Sequence, residues 1–299
     1  MISNKKKIKK IPKLKGLKIS YSIIAICIAF AALIGFFIIP LAGRSPQVTS
    51  VTTYPSISAK QAVLMDASTG KILFERNSCS KAYPASTTKI MTALLTIETV
   101  EKLNSDLTQK VKIPPDAVGI EGSSIYLAPD EPVSIEDLLY GLMLRSGNDA
   151  ATALAIIIGG NQDHFIDMMN ARAKEIGCTN THFLNPSGLF DEGHYTTAID
   201  MALIAQTAMK NETFKKIAAA ESWEASRAPD KYNYFYNKNK VVHQYEGGNG
   251  IKIGYTKASG RTLVASAERN GRQLICVVMG APDWFNDSYK LMDYGFSIK

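Results

Sequence analysis

Residues 250–279 read GIKIGYTKASGRTLVASAERNGRQLICVVM, and the fold follows from this stretch. Three apolar segments, Gly250–Tyr255, Thr262–Glu268 and Gln273–Met279, are separated by short glycine-bearing turns. That is the pattern of consecutive antiparallel strands. A second pair lies far upstream: Ala62–Asp66 and Lys71–Glu75 flank Ala67-Ser68-Thr69-Gly70 and read as a hairpin. Between the two groups the apolar spacing is helical, over Thr87–Leu103 (after Pro84), Ser134–Leu144, Ala150–Ile158, Gln162–Ile176 and Ala198–Met209. Ser134 to Asp137 forms a capping pattern at the start of the second of these. Asp283–Phe296 reads as a last helix. Strands at both ends of a helical middle require a sheet assembled from distant parts of the chain. The expected class is therefore α+β, not an alternating βαβ fold.

The chain has 299 residues, 46% apolar and 20% charged, and a mean hydropathy near zero. This excludes a disordered chain and a polytopic membrane protein. The net charge of +7 invites a nucleic-acid reading, but eight lysines lie within residues 1–18, which hold no acid. Without them, 26 basic residues face 27 acidic ones, so the basicity is a terminal tag and no nucleic acid is expected. Ile19 to Gly43 then run without a charge, bracketed by Lys18 and Arg44. As a helix this span is roughly 37 Å long, enough for a hydrocarbon core of about 30 Å. Lysines before such a span hold the N-terminus inside. The expectation is a basic cytoplasmic tail (1–18), a single transmembrane anchor (19–43), a Ser/Thr/Pro linker (44–58) and an extracytoplasmic domain (59–299). A cleaved signal peptide is the alternative to the anchor.

Cys27 falls in the apolar span, leaving Cys79, Cys178 and Cys276. This odd, scattered trio is no disulfide framework, and no C-x-x-C pair points to a metal. Small buried apolar residues are the simplest reading, with one bridge as the alternative.

Three short motifs carry chemistry. Ser86-Thr87-Thr88-Lys89 follows Pro84-Ala85, placing a hydroxyl and an amine three residues apart at a helix start. Such a serine becomes nucleophilic only if the lysine is neutral, which burial or a second cation must arrange. Alone, the motif reads equally as a cap followed by a surface lysine. Ser146-Gly147-Asn148 closes the helix that begins near Ser134 and supplies a second hydroxyl and an amide, although Ser-Gly-Asn is also an ordinary turn. Lys252-Ile253-Gly254-Tyr255-Thr256 lies on a strand, where the lysine adds a cation and Gly254 lets a ligand approach closely.

Taken together and in this order, the three motifs resemble the signature set of penicillin-recognising serine enzymes. The chain resembles the D-alanyl-D-alanine carboxypeptidases of the low-molecular-weight penicillin-binding protein type, serine peptidase family S11, over about residues 59–299. The likeness rests on PASTTKIMTALL around Ser86, MLRSGNDAATALA around Ser146, HFLNPSGL at 182–189 and GIKIGYTKASGRTLVASAERNG at 250–271. It implies a β-lactamase/DD-peptidase-like fold and a serine peptidase acting on peptidoglycan stem peptides without metal or organic cofactor, with β-lactams as inhibitors. It assigns Ser86 as nucleophile, Lys89 as base and Ser146 as proton relay. Asn148, Lys252, Ile253, Gly254, Tyr255 and Thr256 would bind substrate, with the Ser86 and Tyr255 N–H groups holding the oxyanion. Many members of the family carry a further C-terminal domain and anchor helix. This sequence ends soon after the catalytic region, so the expectation places anchoring at the N-terminus.

One departure stands out. The family's third motif is Lys-Thr-Gly, and its threonine helps hold the substrate's terminal carboxylate. Here Ile253 keeps the β-branch but has no donor. Three rival readings follow. A Ser-His-Asp hydrolase would need one of His164, His182, His194 or His243 beside a serine; His182 and His194 read as structural or rim residues. A β-lactamase-like hydrolase would need a glutamate where Thr181 stands. A catalytically impaired wall-binding or scaffold protein is supported by Ile253 alone. The aromatic run Lys231–Tyr236 (KYNYFY) reads as strand or loop packing, with sugar stacking as the alternative.

Overall fold

The computed structural model describes residues 54–298. The basic tail, the apolar span and the linker up to residue 53 lie outside the described residues. Among the described residues no helix is long and apolar enough to cross a membrane.

In chain order the elements begin with β1 (Gln61–Asp66), β2 (Ile72–Arg76) and α1 (Lys89–Lys102). Next come β3 (Lys110–Lys112), β4 (Pro132–Ser134), α2 (Ile135–Tyr140), α3 (Asn148–Gly159) and α4 (Gln162–Ile176). They continue with α5 (Ala198–Ala208), α6 (Glu212–Ala219), β5 (Ser222–Glu224), β6 (Tyr234–Tyr236) and α7 (Val241–Gln244). The chain closes with β7 (Gly248–Thr256), β8 (Gly260–Arg269), β9 (Arg272–Met279) and α8 (Trp284–Ser297).

The expected long-range sheet is present. Five strands pair in the order β2-β1-β9-β8-β7, each pair antiparallel. The register Val63↔Val277 and Leu64↔Cys276 joins the first strand to the last. Strand alternation sends Val63, Met65, Val264, Ile275 and Val277 to one face, where they pack with the helical middle. Ala62, Leu64, Leu263, Ala265, Cys276 and Val278 face the other way, onto Leu291 and Met292 of α8. A sheet covered on both faces needs apolar residues at successive positions, which is why its strands read as near-continuous apolar runs.

The helical middle differs from the expectation in detail. Ser134 caps α2 by accepting from the Asp137 N–H at 3.0 Å, as its spacing indicated. The helix then widens to a π-turn over Gly141–Arg145 and stops at Ser146, which is left-handed at φ 65°. The short elements β3 to β5, α6 and α7 are too brief for a period to register in the sequence. KYNYFY supplies β6, which pairs with β5, and Phe235 is buried. Tyr234 and Tyr236 of the same run are exposed. The linker expected through Ser58 joins the fold before its end: Ile57 is buried, and the Ser58 N–H and hydroxyl donate to Asp287 at 2.9 and 2.7 Å. Cys178 and Cys276 are buried as expected, but Cys79 is exposed, and all three are free thiols.

Candidate active site

Ser86 lies in a 3₁₀ turn, Ala85–Thr88, that runs directly into α1, so Lys89 is the first residue of the α-helix proper. The turn opens with Ala85 at φ 48°, an uncommon conformation for a residue with a side chain. Two glycines make room for it. At Gly188, itself at φ 84°, a Cβ would stand 1.8 Å from the Ala85 carbonyl oxygen. At Gly254 a Cβ would stand 2.8 Å from the Ser86 nitrogen. Gly254 lines the cleft, and the chain's own Pro84–Ser86 backbone also packs against it. Thr262 secures the same junction, its hydroxyl donating to the Pro84 and Gly254 carbonyls at 3.1 Å each. Gly254→Ala is therefore expected to displace Ser86, lower its acylation rate by about tenfold or more, and cost about 1–3 kcal/mol of stability; stopped-flow acylation beside a thermal melt checks this.

Lys89 is fully buried, and its Nζ has three neighbours. Ser86 Oγ is at 3.0 Å, Asn148 Oδ1 at 2.7 Å and the Ser187 carbonyl at 2.5 Å. The last two can only accept. The Asn148 amide is oriented by its other end, where Nδ2 donates to the Glu121 carbonyl at 2.6 Å. A neutral amine has two N–H donors and one lone pair. In the neutral form Asn148 and Ser187 take the two donors and the lone pair faces the Ser86 hydroxyl; in the protonated form the amine donates to all three. Burial drives the Lys89 pKa well below that of an ordinary lysine, and Lys252 lowers it further, while Asp149 opposes both.

Lys252 is buried too, with its Nζ on the Ile253 carbonyl at 3.2 Å. Its pKa is pushed down to about 7, first by burial and then by Lys238. Because the unfolded chain holds this proton up to about 10.4, the fold binds fewer protons between the two values. Stability then rises with pH across that window. Lys252→Met is expected to raise Tm at pH 7 while slowing acylation, and calorimetry with an acylation assay reads both.

Ser146 is buried, and its Oγ has no hydrogen-bond partner. A strained left-handed serine with an unsatisfied hydroxyl is a costly arrangement, of the kind found at functional positions. Ser86, Ser146, Ile253, Gly254 and Tyr255 line one cleft of about 230 Å³. Thr256 does not line it; its hydroxyl closes the β7–β8 turn against Ser259 at 2.9 Å. Asn148 is engaged by Lys89 and Glu121, so here it orients the amine instead of standing free for a substrate. Ser123, Lys238 and Trp284 line the cleft and were missed. The Ser187 carbonyl also leaves no signature in the sequence. A larger hollow of about 440 Å³ shares Tyr255 but none of the other signature residues.

The loop carrying Ser187 is fixed by His194. Nδ1 of this buried ring accepts from the Leu184 N–H at 3.0 Å, so Nε2 carries the proton and meets Thr88 Oγ1 at 2.9 Å. Burial, then His182, lowers its pKa to about 4, leaving it neutral. No histidine bonds to Ser86 or Ser146 among the described residues, which removes the Ser-His-Asp reading. Thr181 is turned away to Asp200 and Thr196 at 2.7 and 2.8 Å. No group of His, Cys, Asp or Glu side chains among the described residues could hold a metal.

A nucleophilic serine beside a buried lysine, on an antiparallel sheet flanked by helices, defines the class of DD-peptidase-like serine enzymes. Residues 47–283 match the family described as D-alanyl-D-alanine carboxypeptidase, and the chain belongs to that family. It is 39% identical over 242 residues to the D-alanyl-D-alanine carboxypeptidase DacF of Bacillus subtilis, covering 80% of this chain and 62% of that one. It is 33% identical to DacB2 of Mycobacterium tuberculosis, covering 82% and 84%. The fold superposes on the DacD carboxypeptidase of Francisella tularensis with a TM-score of 0.77 at 30% identity, over 82% of this chain and 72% of that one. The Streptomyces K15 DD-transpeptidase gives 0.76 at 32%, over 82% and all of its chain. The chain spans 62–66% of the length of the first three curated relatives it matches, the B. subtilis DacF among them.

Proposed function

We propose that the protein is a serine-type D-Ala-D-Ala carboxypeptidase that removes the terminal D-alanine from peptidoglycan stem peptides. The observation that carries this is the buried amine of Lys89, 3.0 Å from Ser86 Oγ with two obligate acceptors on its other sides. In acylation the Ser86 hydroxyl proton passes to Lys89 Nζ as Oγ bonds to the carbonyl carbon between the two D-alanines. The C–N bond then breaks, and the departing amine takes a proton through Ser146. Water releases the shortened peptide by the reverse sequence. The Ser86 and Tyr255 N–H groups would hold the oxyanion, a contribution typically worth a few kcal/mol per donor. Asn148, Lys252, Ile253 and Gly254 would complete the binding surface, Asn148 after exchanging a partner. The machinery calls for no cofactor.

Two finer points belong to the same reading. Ile253 withholds a hydrogen bond from the substrate's carboxylate, so recognition there is weaker by roughly ten- to hundred-fold than with a hydroxyl. The catalytic domain works outside the membrane, and residues 19–43 tether it. β-Lactams should acylate Ser86 and leave slowly, since no carboxylate occupies the position of Thr181. Mass spectrometry after penicillin treatment tests the assignment: the adduct is expected on the peptide bearing Ser86 and absent in Ser86→Ala. An adduct elsewhere would refute it, and rapid nitrocefin turnover would favour a β-lactamase.

A further inference from the structure

Resting on that reading, we propose that Lys238 is the group that receives the substrate's terminal carboxylate, in place of the hydroxyl that position 253 lacks. Lys238 is the only cation among the residues lining the cleft. The other walls there, Ile253, Tyr255 and Trp284, are uncharged. A carboxylate entering beside Ser86 thus has one formal charge to meet.

The position of Lys238 is built. Its neighbours Asn237 and Asn239 are both buried. Asn237 donates to the Ala220 carbonyl at 2.9 Å and accepts from the Asn239 N–H at 2.9 Å. Asn239 in turn accepts from the Val241 N–H at 3.1 Å, and His243 Nε2 meets the Asn237 carbonyl at 2.9 Å. The Lys238 N–H donates to the Leu144 carbonyl, two residues before Ser146, so the segment is pinned to the turn that presents that serine. Arg145 ties the chain just before this segment to the same turn. It donates to the Tyr236 carbonyl at 3.2 Å, while its buried Nε has no partner.

The charge balance points the same way. No acid forms an ion pair with Lys89, Arg145, Lys238 or Lys252 among the described residues. Asp149 influences Lys89, but its oxygens are already committed to Ser124, Ile125 and Leu127. Lys238 thus faces the cleft without a paired acid, which leaves room for an anion, and the substrate class supplies one on the residue after the scissile bond. A lysine ammonium is a point charge on a flexible stem, so it can follow that carboxylate without the fixed geometry a threonine would impose.

The test compares D-Ala-D-Ala peptides ending in a free acid and in a carboxamide, on the full chain. In the wild type, kcat/KM is expected to favour the acid at least tenfold. Lys238→Met should collapse that ratio by about ten- to hundred-fold, with Lys238→Arg keeping most of it. Ile253→Thr added to Lys238→Met should restore part of it. A ratio near one in the wild type, or equal loss on both peptides in Lys238→Met, would overturn the proposal. Equal loss would mean that Lys238 acts only by holding down Lys252, and the pH profile would shift for both substrates alike. Penicillin labelling of Ser86 runs in parallel. Labelling with an unchanged ratio sinks this inference alone, whereas no labelling and no hydrolysis sinks the carboxypeptidase reading with it.

Discussion

Replacing Lys89 by methionine is expected to slow acylation of Ser86 by about 10²–10⁴-fold, the usual scale for removing a positioned general base. Methionine keeps the length of the side chain but has no lone pair basic enough to take a proton. Lys89→Arg should fail to a similar extent, because a guanidinium stays protonated in proteins. The pair of variants separates two roles. If Lys89 served as a fixed positive charge, arginine would preserve much of the rate; if it serves as a base, both lose it. Thermal melts guard against misfolding. Methionine removes a buried amine, so Lys89→Met should melt no more than a few degrees below the wild type. A variant that folds, acylates within tenfold of the wild-type rate and labels on Ser86 would show that another group takes the proton.

Asp149→Ala should be the most destabilising single change near the site, by roughly 3–5 kcal/mol. The carboxylate is buried at the start of α3 and accepts from the Ser124 hydroxyl at 2.6 Å and from the Ile125 and Leu127 N–H groups at 3.1 Å. Alanine leaves those donors without partners in a place water does not reach. For a domain of this size the loss corresponds to a fall in Tm of about 6–20 °C. Because the same segment brings Ser123 to the cleft wall, acylation should weaken as well. Asp149→Asn, which retains one acceptor, should fall between. A change in Tm below about 2 °C for the alanine variant would mean the 123–127 segment is held by other contacts.

What the sequence disclosed depended on distance along the chain. Ser86 and Lys89 are three residues apart, so their pairing is a local property of one helical turn and could be read directly. The C-terminal strands were legible because glycine-bearing turns punctuate them and each segment is apolar throughout. The partners of the Lys89 amine were not legible. Asn148 and Ser187 lie 59 and 98 residues away, and the Ser187 contribution is a backbone carbonyl, which leaves no signature in residue type. Gly254 could be singled out from its strand, but only the fold shows that the Pro84–Ser86 backbone also packs against it. Ser146 was placed at a helix end, but its left-handed backbone depends on a π-turn that no periodicity announces. Lys238 was hidden because an Asn-Lys-Asn triplet beside an aromatic run reads as an ordinary surface loop.

The most direct measurement is the titration of Lys89 itself, by NMR of protein carrying ¹⁵N-labelled lysine, with Lys89→Met to assign the signal. A neutral amine at pH 8, titrating well below the usual lysine range, is the expected result. An ammonium that persists to pH 10 would contradict the central claim, since the hydroxyl of Ser86 would then have no base beside it.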